Sequence, residues 1–171
     1  MNASQKTVAI GAAIGVATMI VLVAVLSTLL PEPEGLAEIP ARIVFALRLN
    51  VIAVLPFFAM LVAIGNSRFL SDAINPLAQK ERADQQINGR VADNTLQQNF
   101  VFLVATLALS TVLPPAYLQV LVAMTIVFIL ARIAFWIGYR IDPLYRAPGM
   151  SATAYLNLGG LLTAIYFALR T

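Results

Sequence analysis

The sequence contains no cysteine and no histidine. The first absence excludes disulfides, thiolate metal sites and a cysteine nucleophile; the second removes the side chain used most often as general base and metal ligand. Charge is scarce as well. Only 11% of the 171 residues are charged and 60% are hydrophobic, with a mean hydropathy of +0.86, against about a quarter charged in an ordinary soluble domain. That balance excludes a soluble monomer. The formal net charge of +3 does not point to nucleic acid, because apolar runs separate the basic residues instead of a polar face gathering them. There is no phosphate-binding glycine loop, zinc signature, serine triad, internal repeat or low-complexity segment. Chemistry, if any, must run on arginine, tyrosine, amides or carboxylates.

What is present is a series of long apolar runs. No charge falls between Lys6 and Glu32, and Thr7 to Leu30, roughly 24 residues, is enough to cross a ~30 Å hydrocarbon layer as a helix. It exceeds the apolar core of a cleavable leader, about 7–15 residues, and is read as a retained span. Gly11 and Gly15 form a small-xxx-small pair on it, suited to close helix packing. Pro31 to Gly35 is a breaker-rich acidic turn, and a second run extends from about Ala41 to Gly65. Asn66 to Asn88 turns polar and reads as the one substantial loop. From Asp93 to Arg132 no charge appears, about 57 Å as one helix and too long for one bilayer crossing. Pro114-Pro115 divides it into a tight helical hairpin. Helix four runs to about Tyr139, and Ser151 is the expected N-cap of a fifth helix ending near Leu169. The fold class is therefore an all-α integral membrane bundle with five transmembrane helices.

Lys and Arg in the loops set orientation. With the N-terminus inside, seven (Lys6, Arg68, Lys80, Arg82, Arg90, Arg140 and Arg146) lie on the cytoplasmic side and two (Arg42 and Arg170) outside. The expected location is a bacterial inner membrane, with the N-terminus cytoplasmic and the C-terminus outside.

Polar groups inside a span are costly and therefore informative. Arg90, Asn94, Gln97 and Gln98 recur at helical spacing near the cytoplasmic end of helix three, and Arg132 and Tyr139 stand two turns apart on helix four. Arg146 follows on the loop. Gln98 taken alone reads as interhelical glue, while Arg48 and Arg140 read as membrane anchors. Together these residues describe a pocket at the cytoplasmic leaflet that suits an anionic, hydrogen-bonding ligand meeting a lipophilic one.

The blocks Arg90-Val-Ala-Asp-Asn94-Thr-Leu-Gln97 and Ala131-Arg132, Tyr139, Arg146-Ala147-Pro148 resemble motifs of the membrane-associated proteins in eicosanoid and glutathione metabolism (MAPEG). The likeness covers about Ala41 to Arg170. It divides the chain into an extra N-terminal helix with its acidic turn, 1–38, and a four-helix domain, 39–171. It implies a homotrimer binding glutathione as co-substrate between subunits, with Arg90, Asn94, Gln97 and Tyr139 holding the peptide, Arg132 bracing the site, and Arg146 facing the sulfur as the catalytic residue. Arg68 is a looser match to an arginine from the adjacent subunit. Gln97 departs from the family's usual glutamate. The function expected is a glutathione-dependent transferase or peroxidase acting on lipophilic electrophiles. The alternatives are a non-catalytic lipid-binding or scaffold protein of the same fold, or a small transporter or channel subunit.

Overall fold

Asn2 starts the first helix. Its side chain accepts from the Gln5 backbone N–H at 2.8 Å while Gln5 Oε1 accepts from the Asn2 N–H at 2.9 Å, a reciprocal cap that satisfies two otherwise orphaned donors. The computed structural model describes residues 1–170; Thr171, the last residue of the expected 39–171 domain, lies outside the described residues. Helix α1 runs Ala3–Leu29 and ends before Pro31.

The second apolar run is two helices instead of one, α2 (Ile39–Ala53) and α3 (Leu55–Phe69), joined at Val54. Pro56 in the first turn of α3 supplies no N–H to the preceding turn, so the hydrogen-bond ladder breaks there although composition stays apolar. The expected loop is shorter than read. Two 3-10 turns, Asp72–Ile74 and Pro76–Ala78, lead through Gln79 in a left-handed conformation to α4, Ala83–Val112. A 3-10 turn at Pro115–Tyr117 then closes the hairpin into α5, Gln119–Ile141, as the paired prolines require. Another, Pro143–Arg146, leads into α6, Ala147–Ala168. The expected Ser151 cap is thus corrected: the helix already starts at Ala147, because Pro148 in a first turn has no hydrogen bond to lose.

Helices α4, α5 and α6 form the centre, where Phe102 and Phe128 stack with ring centroids 4.3 Å apart and Leu121, Val127 and Leu156 are buried. Helix α1 lies on α5 and α6, and α2 and α3 lie on α4 and α5. Without a hydrophobic drive between helices in lipid, close approach at small residues has to hold such a bundle. A Cβ on Gly15 would sit 2.1 Å from the Pro148 carbonyl oxygen, and one on Gly149 would sit 2.4 Å from the Ala131 oxygen. Only glycine permits either crossing.

The two ends of the bundle differ in chemistry. At the hairpin end Arg42 is buried and donates to three carbonyls, of Leu36 at 2.8 Å, Ala37 at 2.9 Å and Leu113 at 3.0 Å. This ties the acidic turn to the end of α4. The opposite end carries Arg68, Arg82, Arg90, Arg140 and Arg146. Among the described residues, four stretches are long and apolar enough to cross a membrane, namely Ala3–Leu29, Ile39–Phe69, Ala83–Val112 and Pro115–Ile141. The fifth expected span, α6, has 22 residues and no charged side chain but is not among these four, so the expected five spans are corrected to four on length and composition. The chain is an all-α membrane bundle.

Candidate anion site at the basic end

Arg132 is the largest fully buried side chain among the described residues. Its Nη1 donates to Asn94 Oδ1 at 2.9 Å, Nη2 makes a long 3.5 Å contact with the Gly149 carbonyl, and Nε has no hydrogen-bond partner among the described residues. The guanidinium also lies 4.3 Å from the centre of the Phe135 ring. Phe135 meets Tyr139 edge to face at 5.8 Å, and the Arg146 guanidinium lies 5.3 Å from the centre of the Tyr139 ring. A continuous set of contacts therefore runs from Asn94 through Arg132, Phe135 and Tyr139 to Arg146.

Local sequence explains how Arg146 arrives there. Asp142 accepts from the Leu144 N–H at 2.7 Å, starting the 3-10 turn. Gly138 leaves room for the turn to fold back, since a Cβ there would lie 2.3 Å from the Tyr145 carbonyl oxygen. Arg146 then donates to the Pro143 carbonyl. The ion pairs among the described residues are Arg68 with Glu81 and Arg82 with Asp84, so neither Arg132 nor Arg146 is neutralised by a carboxylate. Helices α4 and α6 both begin at this end, and their N-terminal dipoles add positive potential.

The expected site residues divide into two groups. Asn94, Arg132, Tyr139 and Arg146 come together. Arg90 and Gln97 are exposed on the outward face of α4, and Arg68 donates through Nε to Glu81 at 2.9 Å, so these three do not join the cluster within one chain. Gln98 serves as the glue expected of it: Asn157 Nδ2 donates to its carbonyl oxygen at 3.0 Å and to its Oε1 at 2.9 Å. Sequence reasoning missed Asn157, although a lone Asn in a charge-free helix signals an interior partner. It also missed Asn88, whose Oδ1 accepts from Trp136 Nε1 at 2.9 Å. Beside the cluster, an open groove of about 590 Å³ is lined by Ile52, Pro56, Ile133, Trp136 and Ile137, with Arg140 among its walls.

The chain is similar to transmembrane protein 79 of Mus musculus, 25% identical over 136 residues, and to transmembrane protein 79 of Bos taurus, 24% identical over 136 residues. The matched segment covers 80% of this chain and 34% of either relative, so the chain spans about a third of the length of the curated relatives it matches. No family model matches the chain, and no solved structure matches it. These findings overturn the likeness to the eicosanoid and glutathione group. The relatives carry another name, and the two short blocks that suggested the group are polar motifs at helix ends, only part of which converges in space.

Proposed function

We propose that this membrane protein binds glutathione, an acidic thiol, at the basic end of its bundle and presents it to lipophilic electrophiles dissolved in the membrane. The observation that carries this reading is the contact run from Asn94 to Arg146, in which neither guanidinium has a carboxylate partner among the described residues. An anionic ligand at the rim supplies the missing charge, and a carboxylate of it can be clamped bidentately by the exposed Arg90 when a second copy brings that side chain to the site. Arg132, fully buried, braces Asn94 and the start of α6. Arg146, half-buried at the rim, stabilises the thiolate, since a nearby guanidinium lowers a thiol pKa without histidine. The thiol proton passes to water, sulfur bonds to the electrophile, and the leaving group departs. The excess of Lys and Arg at this end supports a cytoplasmic position for it. Arg90 and Gln97 reach such a ligand only if a second copy closes over the outward face of α4, so the reading includes a homo-oligomer; the trimer is the arrangement to test by mass in mild detergent.

The test is isothermal titration of glutathione into the purified protein, paired with an ultraviolet difference spectrum for the thiolate and turnover of a generic aromatic electrophile. Arg146→Ala should retain most binding and lose the thiolate signal. Undetectable binding by the unmodified protein rejects the reading. The apolar groove lined in part by Arg140 favours a second reading, a non-catalytic protein that binds anionic lipid. That alternative predicts lipid binding without turnover.

A further inference from the structure

At the hairpin end, away from the arginine cluster, helices α1, α4, α5 and α6 border an open cleft of about 830 Å³. Met19, Val23, Leu109, Met124 and Leu156 are among its walls, and none of the residues lining it is charged. A cleft of this size and character falls within the range of small-molecule sites. Two polar atoms set it apart from a gap that lipid tails merely fill. Ser27 Oγ and Gln119 Oε1 are buried without a hydrogen-bond partner among the described residues, and both residues line the cleft.

The position of these atoms gives the cleft a direction. Gln119 is the first residue of α5 and Ser27 lies in the last turn of α1, so both sit at the hairpin end, where Tyr117 also lines the cleft. Met19 lies about 12 Å deeper along α1. On the α6 wall a Cβ added to Gly159 would meet nothing within 4 Å, so open volume continues beside the glycine. The hairpin end of the cleft therefore carries Ser27 and Gln119, while its deeper walls are mainly apolar, with Thr163 and the Tyr155 ring among them. The Gln119 carbonyl oxygen can only accept, and a buried acceptor without a donor is costly. The complementary group must therefore donate a hydrogen. A charged headgroup would find no counter-charge here.

We infer that this cleft binds an uncharged single-chain lipid whose headgroup donates a hydroxyl or amide hydrogen to Gln119 and Ser27, with its chain lying against Met19, Met124 and Gly159. Its lining is separate from the proposed glutathione site, so either assignment can fail without the other.

A photoreactive monoacylglycerol and the full chain in lipid nanodiscs provide the test. Unlabelled monooleoylglycerol should compete at least about fivefold better than methyl oleate, which has the same chain and no donor, and better than oleate, which is charged. Gln119→Leu should abolish that preference and leave weak, undiscriminating labelling. Gly159→Phe should reduce labelling about tenfold or more by filling the cleft, with the fold monitored by Trp136 fluorescence. Arg146→Ala should leave labelling unchanged. Equal competition by methyl oleate, full labelling of a folded Gly159→Phe protein, or crosslinks between two copies of the chain at this cleft would each overturn the assignment.

Discussion

Replacing Arg132 tests whether the bundle carries an uncompensated cation. Its favourable contacts are few: one charge-assisted hydrogen bond to Asn94 at 2.9 Å, one long contact at 3.5 Å, and the Phe135 ring at 4.3 Å. The hydrogen bond contributes about 1.5–3 kcal/mol and a desolvated cation–π contact about 2 kcal/mol. Against them stands the effective cost of burying an ion, several kcal/mol even after relaxation. These terms nearly cancel, so Arg132→Met, which keeps most of the volume and removes the charge, should lose little more than the cost of orphaning Asn94 Oδ1, about 1–3 kcal/mol. The double variant Arg132→Met with Asn94→Leu should then be at least as stable as the natural chain. Arg132→Ala leaves a cavity and should cost about 3–5 kcal/mol. Reversible unfolding in mixed micelles, followed through the single tryptophan, orders the three proteins. All three should lose glutathione binding. If both the methionine and the double variant lost as much stability as the alanine variant, Arg132 would be fully satisfied as it stands, and the case for a missing anion would fail.

Three further outcomes can be checked with the same methods. Gly15→Ala should destabilise by about 1–3 kcal/mol, because its Cβ would collide with the Pro148 carbonyl at 2.1 Å, whereas Gly159→Ala, with open space around it, should stabilise by about 0.5–1 kcal/mol. Equal effects of the two in thermal unfolding would contradict the packing of α1 on α6. Arg42→Ala should cost about 3–5 kcal/mol and expose residues 30–38 to protease, with Arg42→Lys recovering only part, since one ammonium cannot reproduce the fork that holds three carbonyls; an uncut turn would show that other contacts hold it. Reporter fusions at Gly35 and Pro76 should report opposite sides of the membrane, and finding both on one side would defeat the alternation of spans.

The sequence disclosed most about the fold where a breaker or a charge-free run left one option. The paired prolines at 114 and 115 required a hairpin, and the charge-free runs required spans. It disclosed less where a proline had two readings. Pro56 split an apolar run that composition alone would keep whole, and Pro148 opened a helix where it was expected to precede one. Burial of Arg42 was illegible for another reason: its partners are backbone carbonyls, and carbonyls carry no sequence signal.

The candidate site was legible to the same degree and for a related reason. At about 100° per residue, Arg90, Asn94 and Gln97 fall within roughly 60° of one another on α4, so spacing alone puts them on one face. The face that α4 buries is centred further round, on Asn88, Val91, Ala92 and Thr95. Asn94 stands at its edge and turns inward to Arg132, while Arg90 and Gln97, on the far side of that edge, are exposed. Helical periodicity identifies residues that share a face; it does not say which neighbour the face meets. Only packing against α5 separates the amide that braces an arginine from the two side chains that would need a second molecule to complete them. This is why the two halves of the motif have different tests. Substitutions at Asn94 should alter the stability of the monomer, whereas substitutions at Arg90 and Gln97 should leave it within about 0.5 kcal/mol and act only on oligomer mass or ligand affinity. A loss of monomer stability at Arg90 as large as that at Asn94 would place both residues in one intramolecular site.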